Sequence, residues 1–199
     1  MLLYDSPVSG NCYKVRLLLA HLGIEYERRT VDVIDRSNRG ELLGDLNPAL
    51  RVPTLVLDDG RALAESGAIL WFLGGGTRFV PDDAYTRAQV LQWMFFEQNL
   101  HEPAIAVTRF WLAYSGRPEL FEPQREAQVK AGYRALDVME RHLDGRGWLV
   151  GDGMTLADIA LYAYTHVADE GGFDLGRYEA IRAWLERVAA EPGHVPMDA

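Results

Sequence analysis

Two short constellations, with Pro53 and Glu65 twelve positions apart, carry most of the chemical information in this chain: Arg51-Val52-Pro53-Thr54 heading an apolar run, and Glu65-Ser66 opening a helical one. A proline at the head of a strand has no N–H to offer the ladder. The Val52-Pro53 bond is also of the kind that adopts cis at modest cost, which would turn the amide and carbonyl of Val52 outward to pair with an extended peptide. Glu65 and Ser66 begin a segment whose first amides lack intrahelical partners and whose dipole favours anions. Both features suit a ligand that is itself a short peptide with two carboxylates. A third cluster, Ser9-Gly10-Asn11-Cys12-Tyr13-Lys14, places a hydroxyl, a carboxamide and a thiol at the mouth of another helical pattern. A cysteine near a helix N-terminus has a lowered pKa and becomes nucleophilic. The plainer readings are that Ser9 is a simple N-cap and that Cys12 is a small buried residue.

The elements that position these residues follow from apolar spacing. Leu2-Leu3-Tyr4 reads as a short strand broken by Ser6-Pro7, and Val15, Leu18, Leu19 and Leu22 mark a helical face ending at Gly23. Residues 26 to 33 supply a second strand, parallel to the first because a helix intervenes. A short helix follows, then Leu55-Val56-Leu57 and Ala62-Leu63-Ala64 as a hairpin across Asp59-Gly60, then the helix that Glu65 opens. This order, βαβ then ββα, is the thioredoxin-like pattern.

Gly74-Gly75-Gly76 and Pro81 punctuate the chain, and no strand pattern follows them. A domain boundary is therefore expected there. Residues 83 to 113 form a long helical pattern interrupted by Pro103, whose missing amide and ring clash should bend or break it. Val129, Gly132, Leu136, Met139 and Leu143 mark a further stripe, as do Tyr178, Ile181, Trp184, Leu185 and Val188. Between them, Thr155 and Asp158 are spaced as a capping box, with Met154 and Ile159 as its hydrophobic staple.

Composition narrows the function classes. In 199 residues, 48% apolar and 11% aromatic content supports a substantial core and excludes disorder as the main state. A net charge of −9 gives no attraction to nucleic acid or anionic membrane, so neither is expected as a partner. The single cysteine, Cys12, forms no internal disulfide, and with no basic leader at Met1-Leu2-Leu3 the cytoplasm is the expected compartment. The five histidines lack metal-ligand spacing, so no metal site is assigned.

The Val52-Pro53 edge and the Glu65-Ser66 pair, at hairpin spacing and in this order, resemble the glutathione S-transferase family. The late capping box after Leu149-Val150-Gly151-Asp152 resembles the capping motif of that family's second domain, so the likeness spans roughly residues 2 to 190. It implies an α/β thioredoxin-like N-terminal domain over 1–76, a linker over 77–84 and an all-α helical-bundle C-terminal domain over 85–199. Glutathione is the implied co-substrate, with Val52 and Pro53 beside its cysteinyl part, Glu65 meeting the ammonium and Ser66 the carboxylate of its γ-glutamyl end. Arg51, Asn38 and Arg39 are further binding candidates, the last two for the glycyl carboxylate.

The loop from Ser9 is where the family places the donor that stabilises the glutathione thiolate. Ser9 is the first choice as in serine-type classes, Asn11 an assistant as in some bacterial members, and Cys12 an alternative that would form a mixed disulfide with glutathione. The second substrate is expected to be a small apolar electrophile beside the helical domain, with Arg109, Trp111 and Tyr114 as pocket walls. Aromatics at helical spacing also serve simply as core. A homodimer is implied. Glutathione-dependent disulfide or peroxide reduction, and a non-catalytic interaction role, are the competing functions.

Overall fold

Leu3 and Tyr4, adjacent in the first strand, point to opposite sides of a sheet, and the two cores they enter organise the N-terminal half. In a computed structural model describing residues 1–199, Leu3 packs with Val15, Leu19, Leu55 and Ile69, whereas Tyr4 packs with Val31 and Leu43. Period-two alternation thus places helices on both faces of one strand. The strands are β1 (Leu2–Asp5), β2 (Glu27–Thr30), β3 (Thr54–Val56) and β4 (Ala62–Ala64), in spatial order β2-β1-β3-β4. β2 runs parallel to β1, while β3 is antiparallel to both β1 and β4. The second strand is shorter than its apolar and β-branched residues imply, because pairing stops at Thr30 opposite Asp5.

Three helices complete this half: α1 (Gly10–Leu22), α2 (Arg39–Leu43) and α3 (Ser66–Gly74). α1 starts where the Ser9 side chain accepts from the Cys12 amide and ends at Gly23, whose φ of 64° is the left-handed conformation that glycine adopts without a Cβ clash. The chain forms two compact units, Met1–Thr77 together with Pro192–Ala199, and Arg78–Glu191. The sequence pattern assigned the final residues to the helical domain, yet the last eight pack with the sheet-bearing unit through side chains of α1 and β2.

The second unit contains α4 (Ala84–Phe96), α5 (Glu102–Arg109), α6 (Glu122–Leu143), α7 (Leu156–Thr165) and α8 (Glu179–Ala189). The long pattern around Pro103 does not break. It widens into a π turn at Glu97–His101, and α5 then starts with Pro103 in its first turn. The wider turn relieves the clash that the proline ring would make in a regular helix. A second π turn, Phe110–Tyr114, follows α5. The core stripes are largely as spaced: Gly132, Leu136, Met139 and Leu143 are buried on α6, as are Ile181, Trp184 and Val188 on α8, while Val129 and Leu185 are only half-buried.

One carboxylate fastens this unit. Asp158 Oδ2 accepts from the Thr155 N–H at 2.9 Å and its hydroxyl at 3.1 Å, completing the capping box at the start of α7. Oδ1 accepts from the Leu149 N–H at 3.0 Å and Trp184 Nε1 at 2.9 Å. Asp158 is wholly buried, and burial raises its pKa against the pull of these donors. No helix is long and apolar enough to cross a membrane.

Candidate functional site

Three loops at the ends of β1, β3 and β4 carry most of the candidate residues of the sheet-bearing unit, and Asn38 and Arg39 stand at the start of α2. The first is a tight turn in which Ser9 N–H donates to Ser6 O at 3.0 Å. It brings Ser9 to the start of α1, where its hydroxyl oxygen accepts from the Cys12 amide at 3.3 Å. Accepting that bond leaves the hydroxyl proton to donate elsewhere, so capping and thiolate stabilisation are compatible in one side chain.

Asn11 links this loop to the third. Its Oδ1 accepts from Lys14 Nζ at 2.7 Å and from Ser66 Oγ at 3.0 Å. With Oδ1 so engaged, Nδ2 is the atom through which Asn11 donates. Lys14, nearly fully buried, was not among the sequence candidates. The only signal for it is a lysine near the start of a helix, where a cation works against the helix dipole and so needs a specific partner.

Glu65 stands at the N-cap of α3 with φ 67° and ψ 119°, a left-handed backbone for a residue with a Cβ. Such conformations cost about 1–3 kcal/mol and persist where surrounding structure enforces them, commonly at ligand sites. Here the strain exposes the Glu65 side chain while Ser66 is buried beside Asn11. α3 follows at once, so the amides at its start face the same place as these two side chains.

The second loop carries Val52. The Val52-Pro53 peptide is cis, and Val52 precedes Thr54, the first residue of β3 paired with β1, so its backbone groups lie outside the ladder. This loop is fixed by Asn47, a residue that sequence reasoning missed. Its Nδ2 donates to Arg51 O at 2.9 Å and to Thr54 Oγ1 at 3.0 Å, while Oδ1 accepts from the Ala49 amide at 3.0 Å. The Asn47-Pro48 dipeptide was the available signal, since asparagine side chains commonly bond the backbone two residues on.

The remaining binding candidates divide. Arg51 is exposed. Arg39 is committed locally, donating to Asp32 O at 3.3 Å and Val33 O at 3.1 Å, and Asn38 Oδ1 accepts from the Asp32 amide at 3.3 Å. Partial burial and the neighbouring Arg36 and Arg51 lower the Arg39 pKa, so three cations gather around this loop. Asp32 acts in the opposite direction on Arg39, so the loop carries both signs of charge.

Cys12 differs from an activated thiol. It is fully buried, its sulfur accepts from the Ser6 amide at 3.4 Å, and burial, helped by the Asp5 carboxylate, pushes its pKa up to about 12. Desolvation outweighs the helix N-terminus that the sequence brought to it. In the helical unit, Arg109 donates to Glu170 at 2.9 Å and to the Tyr114 hydroxyl at 2.8 Å, lying over the Tyr114 ring. Trp111 is half-buried and stacks on Phe121 with ring centroids 4.9 Å apart. These contacts join Arg109 to Tyr114 and leave Trp111 in a separate pair.

Known proteins share this fold. The glutathione S-transferase N-terminal domain model matches residues 8–75 and the C-terminal domain model matches residues 104–192. A glutathione S-transferase crystal structure from Pseudomonas fluorescens Pf-5 is 51% identical, with 98% of each chain covered and a TM-score of 0.95. A glutathione transferase from Burkholderia graminis, with two glutathione molecules bound per subunit, is 28% identical with a TM-score of 0.83, covering 96% of this chain and 84% of that one. The disulfide-bond oxidoreductase YfcG of Escherichia coli K12 is 28% identical, covering 96% of this chain and 90% of its own. With both family models matched along most of its length, this chain belongs to the glutathione S-transferase family.

Proposed function

We propose that this protein is a glutathione transferase that binds glutathione in its sheet-bearing unit and stabilises the thiolate for attack on an apolar electrophile. The observation that carries this reading is the bridge through Asn11, whose Oδ1 accepts from Ser66 at 3.0 Å and so ties the Ser9 loop to the start of α3. The peptide's backbone pairs with Val52, its γ-glutamyl carboxylate meets Ser66 and the first amides of α3, and its ammonium meets Glu65. The glycyl carboxylate lies toward the cations of Arg51, Arg39 and Arg36. Binding the two ends fixes the thiol between them, where Ser9 donates its hydroxyl proton to sulfur and Asn11 donates from Nδ2. Hydrogen bonds to the anion lower the thiol pKa, so the S–H proton leaves to solvent near neutral pH. The thiolate then forms a C–S bond while the leaving group departs with its electron pair. Positioning and anion stabilisation supply the rate, with no covalent enzyme intermediate.

The burial and high pKa of Cys12 support glutathione itself, rather than this cysteine, as the reacting sulfur. The likeness to a disulfide-bond oxidoreductase favours a second reading on the same site, in which bound glutathione thiolate attacks a mixed disulfide and releases the partner thiol. Arg109, Trp111 and Tyr114 are the wall residues we assign to the electrophile, Arg109 held by Glu170 and Tyr114, and Trp111 by its stacking on Phe121. A homodimer fits the exposure of Phe72 on α3 and of Phe95 and Leu100 in the helical unit. Calorimetric titration with glutathione, followed by parallel assays against an aryl halide and a glutathione mixed disulfide, tests the proposal. Binding with conjugation is the expected result, disulfide reduction alone would install the second reading, and no binding at millimolar glutathione would leave the interaction role.

A further inference from the structure

Arg16 has no part in the reading above, yet its buried guanidinium touches the turn that presents Ser9. Nη1 donates to Asp5 Oδ1 at 2.6 Å and lies 3.4 Å from Ser6 O. Nη2 lies 3.4 Å from Pro7 O and donates to Met197 O at 2.5 Å. Ser6 and Pro7 are the first residues of the turn that Ser9 closes. The short contacts at the two ends of the fork, Asp5 and Met197, fix the plane of the guanidinium. The longer ones, weak as single bonds, set where the turn rests against it.

The far end of this arrangement is the C-terminal segment, which is held by its backbone carbonyls. Besides Met197, Tyr13 donates its hydroxyl to Val195 O at 2.7 Å, His21 Nδ1 pairs with Pro192 O at 2.9 Å, and Arg28 Nη1 donates to Ala199 O at 2.7 Å. Arg28 also holds the second oxygen of Asp5 at 2.7 Å. Gly193 lies so close to His21 that a Cβ there would meet its Cα and Nδ1 at 3.1 Å. The ionisable groups about Arg16 include Asp5, Arg28, Tyr13 and, through the Tyr13 hydroxyl, His194, together with Cys12 on α1 and Tyr26 just before β2, both of which feel its charge.

We infer that Arg16 is a positioning residue for the Ser9 turn, and that Pro192–Ala199, by capturing one arm of its fork, holds that turn at the distance thiolate stabilisation requires. The inference rests on the reading that Ser9 donates to the glutathione sulfur. A donor displaced by a fraction of an ångström loses much of its effect on a developing anion, although the peptide still binds through Val52, Glu65 and Ser66.

Two variants test it. Arg16→Lys keeps a cation for Asp5 but lacks the planar fork, and truncation after Glu191 leaves Arg16 in place without Met197. Thiolate absorbance of bound glutathione is followed against pH, alongside calorimetric affinity, kcat and KM for glutathione. Both variants are expected to bind within about threefold of the parent, with the ionisation midpoint raised by about one unit and kcat lowered about tenfold near neutral pH. A folded Arg16→Lys protein, or a folded truncation if that substitution fails to fold, with an unchanged midpoint would overturn the inference. So would losses of affinity and Tm at constant midpoint, which a purely structural role produces. A parent protein that binds glutathione without ionising it would instead remove the Ser9 reading, and this inference with it.

Discussion

Asp158→Asn is a near-isosteric change with a calculable cost. The carboxylate accepts four hydrogen bonds, two on each oxygen, from Leu149, Trp184 and the amide and hydroxyl of Thr155, all in the buried core. An asparagine keeps one accepting oxygen and presents an NH2 to the other pair. The Thr155 hydroxyl can rotate to accept from it, but the Thr155 N–H cannot, and a buried unsatisfied donor costs about 1–3 kcal/mol. The two surviving bonds lose their charge assistance, at about 0.5–1 kcal/mol each. Relief of carboxylate desolvation opposes these terms, leaving a net loss of about 2–4 kcal/mol, or a Tm lower by about 5–15 °C for a chain of this size. Because burial raises the Asp158 pKa, the native state keeps this proton to higher pH than the unfolded chain. Its contribution is therefore full below the ordinary carboxylate pKa and falls as pH climbs through the folded value, a slope the variant lacks. Urea unfolding followed by circular dichroism, from acid to neutral pH, measures both effects. A variant within about 0.5 kcal/mol of the parent would refute the account of Asp158 as the tie between α7, α8 and the loop at Leu149.

Other positions give independent checks. With its pKa raised from 9.0 to about 12, Cys12 contributes stability that is full below pH 9 and lost as pH rises toward 12, at about 1.4 kcal/mol per unit. Cys12→Ala should flatten that alkaline slope in urea titrations and keep glutathione conjugation; loss of turnover would return the cysteine to the chemistry. Gly132→Ala places a Cβ 2.4 Å from the buried Phe173 ring. Despite alanine's better helix propensity, the variant should lose about 1–3 kcal/mol in urea unfolding, and a gain would contradict the packing. Glu65→Gln keeps shape and removes charge, so glutathione Kd by calorimetry should rise about tenfold with Tm unchanged; an unaltered Kd would remove the ammonium contact.

Much of the fold was legible because local chemistry and tertiary structure agree. The Asp59-Gly60 hairpin, the Gly23 stop and the Thr155-Asp158 cap are short-range signals, and each appears where its residues stand. The Glu65-Ser66 pair was legible as a helix start, but the left-handed backbone of Glu65 was not, since nothing in glutamate favours it and only the surrounding loop enforces it. Lys14 was missed because its tie to Asn11 is not revealed by side-chain type, and Asn47 because the Asn47-Pro48 dipeptide signals a turn without showing that its side chain holds Arg51 and Thr54 as well. The return of Pro192–Ala199 to the sheet-bearing unit was also invisible in the pattern. That segment is recognised through its carbonyls, and backbone recognition leaves no signature in the recognised sequence. Cys12 shows the limit of an electrostatic argument made before burial is known: a helix N-terminus lowers a thiol pKa only where the thiolate has solvent or a partner cation.

The ionisation midpoint of glutathione bound to the parent protein and to Ser9→Ala, read from thiolate absorbance across pH, tests the central claim most directly. The parent should ionise the thiol well below the free value of about 8.5, and the variant should raise the midpoint by about 1–2 units, the equivalent of one hydrogen bond to a charged group, with affinity held within a few-fold. A midpoint identical in the two proteins would contradict the assignment of Ser9 as the donor to sulfur.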